Sequence, residues 1–247
     1  MEERNVVAPF HRRESEGWVS EVRSHRVRNG ITAGLLLLLG WSGYDLFGPQ
    51  RTDLRVFDPH EVARLDALMW RSYYDRKPIP LYFQLAELLR DQYRLPWLRS
   101  HFVAASAARA AFVFKDGQTR GDYERAFPDL VSYYNAIRRV SVTPFDVQET
   151  ARLELEWWIV HRERIGHGGE RLERALAEAA AELYRAPMES MESYARERTA
   201  AMDIRDTKAA SGGVSEEDWK AIAGHLQESW IALAAAVKER SPLAGDS

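Results

Sequence analysis

The feature that most constrains this chain is a run of five consecutive leucines, Leu35, Leu36, Leu37, Leu38 and Leu39. They sit within sixteen residues, Asn29 to Tyr44, that carry no formal charge. Five leucines in a row cover every face of a helix, so the segment does not suit a half-buried amphipathic element. A bilayer core of about 30 Å takes about 20 helical residues, with about 17 near the lower limit. Asp45 interrupts the stretch, and Leu46, Phe47, Gly48 and Pro49 then extend it to Gln50. Trp41 and Tyr44 fall where interfacial aromatic residues collect. The sequence therefore predicts a membrane anchor over residues 29–49, with Leu35 to Leu39 and Trp41 against lipid. Two other readings compete. A cleaved signal peptide has an apolar run of this length, but nearly thirty residues precede this one. A core helix of a soluble bundle is the third reading, because short apolar runs are often interior.

Arginine placement gives an orientation. Residues 12–29 hold five (Arg12, Arg13, Arg23, Arg26, Arg28), and residues 45–65 hold three (Arg51, Arg55, Arg64). The excess before the span predicts a cytoplasmic N-terminus and an extracytoplasmic helical domain. Residues 1–28 read as a charged flexible arm, and residues 241–247 as a flexible tail.

Residues 56–240 read as helix throughout, so the fold class is all-α: one transmembrane helix, then an irregular bundle of about seven helices. Asp58-Pro59-His60-Glu61 is a helix start, with a capping carboxylate, proline at the first helical position and glutamate three residues after the cap. Val62, Leu65, Met69 and Tyr73 follow at helical spacing. Thr119 to Asp122 repeats the capping pattern before Tyr123, Phe127, Leu130, Tyr134 and Ile137. Thr143-Pro144-Phe145-Asp146 opens another helix, and Ser215 to Asp218 a further one carrying Trp219, Ile222, Leu226, Trp230, Leu233 and Val237. The alanine-rich segment Ala104–Ala111 permits close helix approach and predicts a central helix. Ala209–Gly213 is a small-residue linker that would let the last helix pack separately. Short connections predict antiparallel neighbours.

Composition narrows the function class. Apolar residues make up 45% and charged residues 29%, an ordinary globular balance. The net charge of −3 lacks the basic excess of a nucleic-acid binder. With no cysteine, thiolate nucleophiles and cysteine-held metals are excluded. None of the seven histidines has Asp or Glu three residues before it, so the Glu-x-x-His pattern of di-iron bundles fails. His60-Glu61 begins like a zinc-protease helix, but Arg64 stands where the second histidine is needed. Asp116 to Asp122 imitates a calcium loop, yet Arg120 and Phe127 occupy ligand positions. Neither a phosphate-binding loop nor a nucleophile elbow is present, and Gly166-His167-Gly168-Gly169 is a break between helices. No metal or cofactor is expected.

The most loaded segment is Ala151 to Glu163. Glu154, Trp157, Trp158 and His161 share one side of a helix that is apolar nearly all round. Glu154, Trp158 and His161 are the candidate ligand- or partner-binding residues. A carboxylate near an imidazole can move protons or bind a ligand donor, and the alternative is a satisfied core pair, with Glu154 bonded to an Arg or Tyr of a neighbouring helix and His161 at the rim. His101, a turn from Ala104 and Ala105, is a further candidate facing a small cavity, or a hydrogen-bonded core histidine. The doubled aromatics Tyr73-Tyr74, Tyr133-Tyr134 and Trp157-Trp158 each send one ring about 100° away from the other. Such second rings form either a second core layer or a partner surface. The first functional expectation is a membrane-anchored interaction module, an accessory or scaffolding subunit whose partners are the bilayer and another membrane protein. The second is an enzyme or small-molecule binder with a pocket at Glu154, Trp158 and His161. No catalytic motif identifies an enzyme.

Overall fold

A computed structural model of the chain describes residues 15–164 and 169–238, with the backbone alone for 15–27. The chain divides into two units, residues 1–48 and 49–247. The break at Gly166–Gly168 and the tail 241–247 fall outside the described residues, as does the first half of the charged arm.

The first unit contains α1, Ser15–Phe47. Residues 15–28, expected in the arm, are the first turns of this helix. Arg28–Phe47 forms 20 residues long and apolar enough to cross a membrane by length and composition. At 1.5 Å per residue that is about 30 Å of helix. Leu35 to Leu39 are open, from 55% exposed at Leu35 to 76% at Leu37.

The second unit is all helix among the described residues, apart from one isolated bridge between Thr52 and Ser141. Its elements are α2 (Pro59–Tyr74), α3 (Pro78–Tyr93), α4 (Trp97–Asp116), α5 (Arg120–Glu124), α6 (Phe127–Val140), α7 (Val147–Glu163), α8 (Gly169–Tyr184), α9 (Glu192–Ala210) and α10 (Glu216–Lys238), with a 3₁₀ turn at Met188–Met191. These are nine helices rather than about seven. One added break lies between α5 and α6, where Pro128 starts a new helix.

Local chemistry sets the boundaries. The Asp58 carboxylate accepts from the backbone of His60 at 2.9 Å. Thr119 and Asp122 form a reciprocal capping box at α5. The Asp146 side chain caps α7, taking bonds from the amides of Gln148 and Glu149 at 2.8 and 3.0 Å, so that helix starts at Val147 rather than at Thr143. Ser215 and Asp218 exchange bonds before α10. Gly212 and Gly213 have φ of 126° and 118°, which favour glycine and turn the chain sharply after α9.

Close packing follows one circuit: α2 on α3, α3 on α4, α4 on α6, then α7, α8, α9 and α10 in turn, with α10 closing back on α2. Two expectations are corrected. The last helix does not pack separately, because its apolar stripe of Ile222, Leu226, Trp230, Leu233 and Val237 is buried and it lies against both α9 and α2. The alanine-rich α4 is one wall of the circuit rather than its centre. Ala104 and Ala110 are fully buried toward its neighbours, whereas Phe102 and Phe112 stand open on its far side.

Candidate ligand site inside the helical circuit

Large side chains bridge the middle of the circuit. From α7, Glu154 holds the centre of a donor network. Trp158 Nε1 donates to Glu154 Oε1 at 3.0 Å, one turn along the same helix, and the Tyr134 hydroxyl donates from α6 to Oε2 at 3.0 Å. The Trp158 ring is held in place by Phe114 of α4, edge to face at 5.3 Å. Burial raises the Glu154 pKa, against the pull of hydrogen bonds from Trp157, Tyr134 and Trp158 and of the more distant Arg198 charge.

A second strand of the network runs through phenols. Gln92 Nε2 of α3 donates to the Tyr184 hydroxyl of α8 at 2.8 Å. Tyr93 hydrogen-bonds both Tyr184 and Tyr133. Desolvation pushes the pKa of Tyr93, Tyr133, Tyr134, Tyr184 and Tyr194 upward, so all five are neutral phenols at physiological pH.

On the side formed by α2, α9 and α10, Asp66 is buried and bonded to Arg198 at 2.6 Å and to the Trp230 indole at 2.8 Å. Arg198 lies 5.4 Å from the Trp70 ring centre and 5.8 Å from that of Trp230. Burial alone would lower the Arg198 pKa, but the Asp66 carboxylate outweighs it and the net direction is upward.

Accessibility separates these groups. Tyr93, Tyr134, Tyr184 and Trp230 are closed off, whereas Tyr133, Glu154, Trp157, Trp158, Tyr194 and Arg198 keep part of their surface open. Glu154 is surrounded deeply enough to be desolvated. It is bonded by Tyr134 and Trp158 and keeps a minor part of its surface open.

The predicted residues are distributed unevenly. Glu154 and Trp158 meet. His161 does not bond Glu154: it lies two turns, about 10 Å, along the helix and faces Asp206 of α9 at 3.2 Å. Arg164 binds both Asp203 and Asp206 there, and Arg205 reaches Asp206 at 2.8 Å. Burial alone would raise the Asp206 pKa, but the bonds from His161, Arg205 and Arg164 lower it overall. This is an ion-pair clamp between α7 and α9. His101 is elsewhere again, its ring 4.5 Å from Trp97, 5.5 Å from Tyr82 and 5.9 Å from Phe83. Desolvation, then the Arg90 charge, lowers its pKa. Of the doubled aromatics, Tyr133-Tyr134 and Trp157-Trp158 belong to the interior network, while Tyr73 is half exposed.

Sequence reading missed Asp66, Gln92, Tyr93, Tyr133, Tyr134, Tyr184, Tyr194 and Arg198 as site residues. One signal was present. Asp66 lies one turn after Val62 on an apolar helix face, where an unpaired acid is costly, so a buried partner was implied. The carboxylates of Glu61, Glu87 and Asp91 also converge, but Arg64 already lies 2.6 Å from Glu61 and 3.8 Å from Glu87. Compared with known proteins, the chain matches no family model, no curated protein and no solved structure at a significant level.

Proposed function

We propose that this chain is a membrane-tethered binding protein: α1 crosses the bilayer once, and the helical circuit holds a small molecule against Glu154. The observation that carries the binding reading is Glu154 itself, a desolvated, partly open carboxylate held by two neutral donors from different helices. Burying a carboxylate without a partner ion is costly, and simple packing would favour an apolar residue there. Rigid Tyr and Trp rings around a few aimed polar groups are the usual composition of a ligand site. Support for the anchor comes from the length of the apolar part of α1 and from its exposed leucines. The arginine excess on the N-terminal side supports a cytoplasmic N-terminus, with the binding domain outside.

The test is purification of the full chain in mild detergent, followed by mass spectrometry of the small molecules released on denaturation. A compound released from the wild type and lost from Glu154→Gln supports the reading. Identical extracts from the two, with no compound bound to either, count against it.

A second reading, an accessory subunit docked on another membrane protein, is favoured by one observation. Ile79 and Phe83 of α3 and Trp97 and Phe102 of α4 are all more than half exposed. Aromatic residues of this kind are enriched at interfaces. Native electrophoresis of membranes would reveal the complex, and Phe83→Ser with Phe102→Ser should dissolve it. A monomer in both cases removes this reading.

A further inference from the structure

Charge is matched at one of the two interior carboxylates and not at the other. Asp66 is neutralised by Arg198 at 2.6 Å. Glu154 bonds only neutral donors, and among the described residues no Lys, Arg or His nitrogen comes within 4.0 Å of it. Arg198, whose charge favours the ionised form of Glu154 from a distance, is already bonded to Asp66, so no cation is bonded to Glu154.

The donor count leaves room on that acid. An ionised carboxylate offers about four acceptor positions. Trp158 and Tyr134 take one on each oxygen, and Trp157 is a third donor. The rings at the acid are Trp158 and Tyr134, with Trp157 and Tyr133 packed edge-on against them at 6.1 and 4.9 Å and partly open.

We infer that the ligand taken at Glu154 is an organic ammonium ion, its cationic head on the carboxylate and its carbon groups among the Trp and Tyr rings. This rests on the interior being a ligand site. The chemistry separates this class from the others. An anion would be repelled by Glu154. A neutral molecule would leave the carboxylate desolvated and unmatched. A calcium or magnesium ion needs about six oxygen ligands and a zinc ion about three protein ligands, whereas Glu154 is a single acid bonded to an indole and a phenol. An ammonium ion satisfies both parts of the site: it supplies the missing charge, and its carbon-borne positive charge is attracted to aromatic faces.

The experiment uses the full chain in mild detergent and two matched probe pairs, choline with its uncharged carbon isostere dimethylbutanol, and butylammonium with butanol. Binding is read by calorimetry and by the rise in melting temperature. Each cation should bind at least about tenfold more tightly than its uncharged partner, the factor that 1.4 kcal/mol represents. Glu154→Gln should abolish that preference while keeping the circular-dichroism spectrum of the wild type. Equal binding of charged and uncharged partners overturns the ammonium assignment and leaves the ligand site standing. A preference that survives Glu154→Gln overturns it as well. If none of the four probes binds and no compound is released on denaturation, both the assignment and the binding reading fail. The wild-type comparison needs no variant, so a folding defect in Glu154→Gln does not shelter the inference.

Discussion

Trp158 and Glu154 are one helical turn apart on α7, and the indole Nε1 donates to the carboxylate at 3.0 Å. The bond fixes the rotamer of an acid that has no cation beside it. Phe114 holds the indole from the far side, so α4 and α7 together aim the acceptor inward.

Replacing Glu154 by Gln should stabilise the protein at alkaline pH. The folded carboxyl has a raised pKa, so the native state holds its proton when the unfolded chain has released it. Stability from this group is therefore present below the unfolded pKa and declines as the pH rises through the folded value. Facing groups do not reverse the sign: Tyr93, Tyr133, Tyr134, Tyr184 and Tyr194 stay neutral and Arg198 stays charged across this range. Gln keeps an acceptor for Trp158 and can donate to the Tyr134 hydroxyl. Thermal unfolding should show Glu154→Gln melting higher than wild type at pH 8, with the gap closing as the pH falls into the ordinary carboxylate range. The two should coincide near pH 4.

Asp66→Ala should cost about 3–5 kcal/mol, because it leaves the Arg198 guanidinium buried without its counter-ion and strips the Trp230 indole of its acceptor. The double variant Asp66→Leu with Arg198→Met should recover more than half of that loss, since an apolar pair carries no desolvation cost. Urea unfolding of the three proteins checks both statements.

The α7–α9 clamp should be acid-sensitive. Asp206 has a lowered pKa in the folded state, so its contribution is present above the ordinary carboxylate range and is lost as the pH falls through the folded value. Asp206→Asn should be less stable than wild type at pH 7, with the gap narrowing steadily below pH 4. A gap that is constant with pH would show that the ion pairs contribute nothing through charge.

Asp146→Ala should cost about 1 kcal/mol by removing the N-cap of α7, whose side chain serves the amides of Gln148 and Glu149. Because α7 carries Glu154, ligand affinity should fall with stability, as differential scanning calorimetry with and without bound ligand can measure.

Leu37→Arg with Leu38→Arg should release the protein from membranes on alkaline extraction. Each arginine near the centre of a span costs about 2.5–3.5 kcal/mol on insertion scales. A wild-type protein that already leaves the pellet would remove the anchor.

Local chemistry was legible from the sequence wherever it acts within a few residues. The all-helical class, the starts at Asp58, Thr119 and Ser215, and the long apolar N-terminal helix all follow from caps, proline and spacing, which operate inside one turn. Tertiary structure decided the rest. It closed α10 onto α2, set α4 as a wall rather than a centre, and sent His161 to Asp206 and His101 into a ring of aromatics. It also gathered Asp66, Tyr93, Tyr134, Tyr184 and Arg198 from five different helices around one interior. Helical periodicity tells which side of a helix is apolar, but the partner that meets a polar group on that side comes from a helix tens of residues away, and only packing brings the two together.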